Sequence, residues 1–165
     1  MNKPSTFHTA PQLAVNATRR TLLGMSLLSA LAVGGCATAS GPTFSRVEAP
    51  QPDKAQLYLY RKSAMYAAGG KYKVIAVATS QPLGELFNAS YLVLPLEVGP
   101  HVIGVEESVL ISPKTFEIQA EAGKNYFVEY DSSKGWLLGW GILSGCEVKT
   151  EEQALADLKD LRRAN

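Results

Sequence analysis

No acidic residue occurs before Glu48, although the chain has 15 of them among its 165 residues. The first 35 positions carry Lys3, Arg19 and Arg20 as their only charges, so that stretch is purely basic. The remainder has 13 basic against 15 acidic residues, a net of −2, with no basic cluster. That balance leaves nucleic-acid binding without its electrostatic footing, and no nucleic-acid partner is expected. Histidine and cysteine are scarce: His8 and His101, Cys36 and Cys146 are all there are. No ligands stand at metal spacing, so neither a metal nor another cofactor is expected. The pattern G-x-S-x-G is missing, and no Lys-Ser/Thr follows Gly135, Gly139 and Gly141, which removes the usual signs of a nucleophile elbow or a phosphate loop. A spanning apolar run is missing too. Thr21 to Gly35, 15 residues, would reach about 22 Å as a helix, short of the roughly 30 Å of a hydrocarbon core.

What stands in that place is "RRTLLGMSLLSALAVGGC", positions 19 to 36. A basic n-region, an apolar h-region and small residues before a cysteine describe an export signal over residues 1–35. A buried core helix fits poorly, because the run is apolar all round and carries Gly24, Gly34 and Gly35. The closing Val33-Gly34-Gly35-Cys36 resembles the lipobox of bacterial lipoproteins. That resemblance implies cleavage after Gly35 and lipid on Cys36, since small side chains fit the peptidase and the thiol accepts the diacylglyceryl group. The alternative is an ordinary secretory signal with Cys36 as a bystander. Arg19 and Arg20, within Thr18 to Leu23, resemble a twin-arginine signal; that route and the Sec route both stay open. Two or more acyl chains would anchor the protein stably to a membrane. By analogy with lipoprotein sorting, Ala37 in place of Asp implies the outer membrane, facing the periplasm.

Residues 36–54 are rich in Pro, Ser, Thr and Ala without sustained period and read as a flexible tether, with an r.m.s. span of roughly 25 Å. From Ala55 the period becomes two. "TFEIQAE" sets Phe116, Ile118 and Ala120 against Thr115, Glu117 and Gln119. "NYFVEYD" sets Tyr126, Val128 and Tyr130 against Asn125, Glu129 and Asp131, with Phe127 out of pattern. "AQLYLYR", "YKVIAVATS", "SYLVLPLE" and "HVIGVEES" are further β-type runs between turn residues at Gly69-Gly70, Asn88, Gly99-Pro100, Ser112-Pro113 and Gly123. The pattern predicts an all-β domain over 55–165, an antiparallel β-sandwich of about seven strands. Pro95 predicts an edge or a bulge. One amphipathic helix is predicted at the C-terminus. Thr150 and Gln153 form a capping box, Glu151 and Glu152 suit its positive end, Ala154, Leu155, Leu158 and Leu161 make a stripe, and Arg162 and Arg163 close it.

"GELFNASYLVLPLEVGPHVIGVE" and "FEIQAEAGKNYFVEY", with the Glu-rich final helix, resemble a domain of unknown function found in bacterial lipoproteins, itself similar to PEGA-type β-sandwich repeats. Gly84, Leu86, Asn88, Ser90, Tyr91, Gly99, His101, Ala122, Gly123, Lys124 and Tyr126 carry the resemblance. It spans roughly Ala55 to Leu161 and departs at Val98, where the family usually has Pro; here the Pro stands at 100. It implies fold and location and no activity.

His101 opens a strand beside Ile103 and Val105, and a bond to a nearby loop is expected of it rather than base catalysis. Cys146 shares a parity with Val148 and is expected to be buried; pairing between chains is the alternative. "GWLLGWGILSG", from Gly135 to Gly145, holds both tryptophans and no charge. It reads either as a plug in the open end of the sandwich or as an exposed tip, in which case Trp136, Leu137, Leu138, Trp140 and Ile142 form an interaction surface. The functional expectation is a lipid-anchored, non-catalytic binding or structural module with an envelope protein or glycan as partner. The alternative is a binder of small apolar ligands such as lipid.

Overall fold

The computed structural model describes residues 38–65, 68–108, 112–132 and 145–164. The period-two runs form strands: β1 (Ala55–Arg61), β2 (Tyr72–Ala76), β3 (Gln81–Leu86), β4 (Ser90–Leu96), β5 (Gly99–Glu106), β6 (Lys114–Ala120), β7 (Asn125–Asp131) and β8 (Gly145–Lys149). Helix α1 (Glu151–Leu158) and a two-residue strand, β9 (Arg162–Arg163), follow. One sheet runs β8-β7-β1-β4-β9 and the other β3-β2-β5-β6. The fold is a β-sandwich, with nine strands among the described residues. Most pairs are antiparallel, but β1–β7 and β4–β9 are parallel. Parallel neighbours need a crossover, which chain alternation does not reveal.

Alternation sets the core between the sheets. Leu57, Leu59, Leu92, Leu94 and Val128 of the first sheet meet Val74, Ile103, Val105, Phe116 and Ile118 of the second. Phe127, out of pattern in the sequence, belongs to a second core on the outer face of the five-stranded sheet. There it joins Tyr58, Tyr60 and Tyr91 beneath Ala154, Leu158 and Leu161. The ring of Phe127 stacks on Tyr58 at 5.2 Å.

The stretch expected as a flexible tether also covers that outer face. Thr38 bridges Asn88, Thr43 bridges Arg162, and Ala39 is buried. The Gly41 amide donates to the Arg163 carbonyl (3.1 Å) and the Arg163 amide donates to the Pro42 carbonyl (2.9 Å). Phe44 meets Tyr91 and Tyr58 edge-on at 5.6 and 6.3 Å. Residues 38–54 are therefore a strap, held by backbone pairing and aromatic packing that their composition does not announce. At Gly41 a Cβ would collide with the Arg163 carbonyl, so only glycine admits the close approach.

The helix keeps its capping box, with the Thr150 side chain accepting from the Gln153 amide and the Gln153 side chain accepting from the Thr150 amide. It ends at Leu158, earlier than the sequence predicts. Leu161 is buried beyond it, Leu155 is 37% exposed, and Arg162 and Arg163 pair with β4 as a strand instead of closing the helix. Backbone pairing to Ser90 and Tyr91 wins over another helical turn. Gly99-Pro100 opens β5, so the turn itself is Glu97-Val98. Pro95 lies inside β4, whose Tyr91 carbonyl points to the β9 side to accept from Ala164. Pro95 has the same parity, so its missing N–H falls on the β9 side, beyond the last β4–β9 pair at Tyr91. Strand β4 itself is neither the edge strand nor the bulge expected, since it lies between β1 and β9 in unbroken register with β1.

Candidate functional site

Strand ends collect chemistry at one end of the sandwich. Arg61 closes β1 opposite Ser90, and Tyr130 of β7 pairs with Cys146 of β8. In the two-residue alternation of Ala55, Leu57 and Leu59, Arg61 is the next inward position, and its side chain is only 1% exposed. Its Nε donates to Ser132 Oγ (3.1 Å) and its Nη1 to the Gly70 carbonyl (3.1 Å). The guanidinium lies 4.7 Å from the centre of the Tyr72 ring, which meets Tyr130 edge-on at 5.2 Å. The Tyr130 hydroxyl donates to Glu107 Oε1 at 2.6 Å. Burial holds the Arg61 pKa below its usual value, opposed by Tyr72, Tyr130 and Glu107 around it. The group stays a cation because its partners satisfy it, as a buried charge requires.

On the other face of the same strands, Glu129 is 4% exposed and sits between two lysines, Lys62 at 2.9 Å and Lys149 at 3.2 Å. The bond to Glu129 raises the Lys62 pKa. Lys149 is raised chiefly by its bond to Glu147, with Glu129 adding to it. Tyr60 donates to Asp157 Oδ2 at 3.0 Å, and burial, with that carboxylate beside it, pushes the phenol well above its usual range. A pocket of about 330 Å³ opens between the two networks, lined by Arg61, Lys62, Glu129, Tyr130 and Ser132 among others. It offers paired charges and hydroxyls, suited to holding polar groups.

Cys146 is half-buried against the core, its Sγ 3.8 Å from the Lys114 carbonyl. Burial first, with Glu107 adding to it, pushes its thiol up to about 12. Such a thiol is protonated at neutral pH and a poor nucleophile. Val148, expected to be buried with it, is 62% exposed. The Lys114 contact shows β6 meeting β8 at Cys146, and two residues further along that cover has gone. His101 lies at the opposite end, its Nε2 2.7 Å from the Glu97 carbonyl, the loop contact expected of it. Among the described residues no group of three His, Cys, Asp or Glu side chains could hold a metal ion.

Arg19, Arg20, Gly35 and Cys36 lie outside the described residues, as do Trp136, Leu137, Leu138, Trp140 and Ile142. The flanks of the tryptophan stretch are described: Asp131 pairs with Gly145 at the Arg61 end. Sequence reasoning missed Arg61 and Glu129. The signal for Arg61 was a charge at an inward parity; for Glu129 it was a carboxylate beside the out-of-pattern Phe127, on a face that proved to be covered.

These elements define a small β-sandwich domain whose five-stranded sheet is covered on its outer face by a strap and a helix, with paired charges at one end. The chain belongs to the family described as "Protein of unknown function (DUF2846)", whose model matches residues 51–139. No curated protein and no solved structure matches it.

Proposed function

We propose that the protein is a lipid-anchored envelope module that binds a partner without catalysing a reaction. The observation that carries this reading is the basic, then apolar, then small-residue run that closes on Cys36. Thr38 already pairs with Asn88, two positions beyond the cysteine that ends a lipobox-like Val33-Gly34-Gly35-Cys36. In this reading Cys36 carries the acyl chains in the outer membrane, and residues 1–35 are the export signal. The non-catalytic half is supported by two states of side chains: a thiol at Cys146 held protonated, and an imidazole at His101 bonded to a loop at the far end. The partner is an envelope protein or glycan, and Trp136 and Trp140 are the side chains proposed to meet it. The reading of a lipid or other apolar ligand held between the sheets finds less support, because Leu57, Leu59, Val74, Ile103 and Val128 pack that space.

Intact mass and fractionation of the natively expressed protein test this, beside a Cys36→Ser variant. The expected product begins at Cys36, carries acyl mass and sediments with outer membrane, and C36S does not. An unmodified soluble product would overturn the anchor. For the partner, W136A and W140A are expected to abolish co-purification of the envelope component while leaving the circular dichroism spectrum unchanged.

A further inference from the structure

We infer that the end of the sandwich bearing Thr38, Asn88 and Arg162 is held face-on against the lipid headgroups of the membrane that carries the anchor. This rests on lipidation of Cys36, and it adds an orientation. Only Ala37 separates Cys36 from Thr38, and two Cα steps reach at most about 7 Å. Thr38 is fixed by its bridge to Asn88, and the strap behind it by Ala39 burial, the Gly41–Arg163 bond and the Thr43–Arg162 bridge. A lipid on Cys36 therefore has no length of free coil through which the domain could turn over. A pocket of about 440 Å³ lies at this point, lined by Thr38, Ala39, Asn88, Ala89, Asp160 and Arg162.

The topology fixes which end this is. Asn88 lies between β3 and β4, and the Ala64 amide donates to its Oδ1 at 3.0 Å, so the β1–β2 connection is at the same end. Arg61 faces Ser90 there, and Asp131 faces Gly145. The opposite end, with Glu97, Val98 and the Gly123 turn, lies one strand away; six residue steps of β1 span about 20 Å. Charges at the membrane-facing end alternate in sign. Lys71 pairs with Glu85 at 3.0 Å, Lys62 pairs with Glu129 at 2.9 Å, and Arg162 stands near Asp160 around the pocket. The short link sets the orientation, and electrostatic attraction contributes little, so salt should not release it.

The experiment uses the full lipidated protein in phosphatidylethanolamine–phosphatidylglycerol vesicles whose headgroups carry a quencher. In a C146A background, S63C at the membrane-facing end and V98C, 58% exposed at the other, are labelled separately with one fluorophore. With the ends about 20 Å apart, the label at 63 is expected to be quenched about threefold more than that at 98, equally at low and high salt. Inserting about twelve Gly/Ser residues after Ala37, an added span of roughly 20 Å, is expected to erase the difference. Equal quenching without the spacer, or stronger quenching at 98, would overturn the orientation while leaving the anchor intact. Protein that fails to float with vesicles, as C36S should, would overturn the anchor and the orientation with it.

Discussion

The five-stranded sheet has two apolar faces, and they are covered in different ways. Its inner face meets a second sheet, strand on strand, through Leu57, Leu59, Leu92 and Val128. Its outer face is covered by a strap without regular structure, through Phe44 and Val47, and by one short helix with Leu161 just beyond it. Aliphatic side chains predominate in the first core, which also holds Tyr72, Phe116 and Tyr130, whereas the sheet's contribution to the second is the aromatic set Tyr58, Tyr60, Tyr91 and Phe127. Tyr58 accepts from the Glu48 amide (2.7 Å) and Tyr60 donates to Asp157 (3.0 Å), so the second core is tied by hydrogen bonds to the segments that cover it. The difference teaches that a sheet can be amphipathic on neither face and still belong to a small sandwich, provided chain ends supply a third layer. The family match, residues 51–139, includes all the strands of the first core except β8 and omits nearly all of the strap, the helix and β9.

The largest expected effect comes from the inner core. Leu59→Ala is expected to cost roughly 2–5 kcal/mol, read from urea denaturation as a lower midpoint with unchanged slope. Loss confined to a few amides would break the picture of one inner core. Leu158→Ala, in the outer core, is expected to cost somewhat less than the inner truncation. Its mark should be faster hydrogen exchange at the Arg163 and Ala164 amides, with that of Leu57 hardly altered. Leu155→Ala, at a position 37% exposed, should change stability by well under about 1 kcal/mol. If the two substitutions matched, α1 would not be packing through Leu158.

Gly41→Ala sharpens the comparison further. Its Cβ would drive the strap from the Arg163 carbonyl, at a cost of roughly 1–3 kcal/mol. Proteolysis between residues 38 and 54 should follow while the inner core persists; an unaltered digest would show that the strap gives way without loss.

The smallest effect is alkaline. The folded Cys146 keeps its proton up to about 12, whereas an unfolded thiol loses it near its ordinary value of 9.0. The unfolded chain therefore releases a proton first, so this contribution to stability is full below pH 9 and is lost as pH rises to about 12. Lys62, raised by Glu129, and Tyr60, raised by burial, act in the same direction above their ordinary values of 10.5 and 10.0. Cys146→Ala should move the onset of alkaline destabilisation upward in thermal melts from pH 8 to 11, and an unchanged onset would assign it to Tyr60 and the lysines.

Much of this was legible along the chain because it depends on neighbours a few residues apart. Phe116, Ile118 and Ala120 declare their face by period two, and Thr150 with Gln153 declares a helix start through bonds made within one turn. The site was less legible. Arg61 reads as the end of a strand until Tyr72, Gly70, Glu107 and Ser132, contributed by other segments, close around it. The strap reads as linker because its ordering comes from Arg163 and Tyr91, far along the sequence.

What the sequence determined by itself is therefore the period-two strands, inward side chains such as Phe116, Ile118 and Ala120, and the capped start of the helix, each carried by local geometry. Which strands share a sheet, the parallel pairing of β1 with β7, the second core and the burial of Arg61 were decided only by the tertiary structure. Those features depend on contacts between residues tens of positions apart, whose gain appears only after the chain has met the entropy of closing the loops between them.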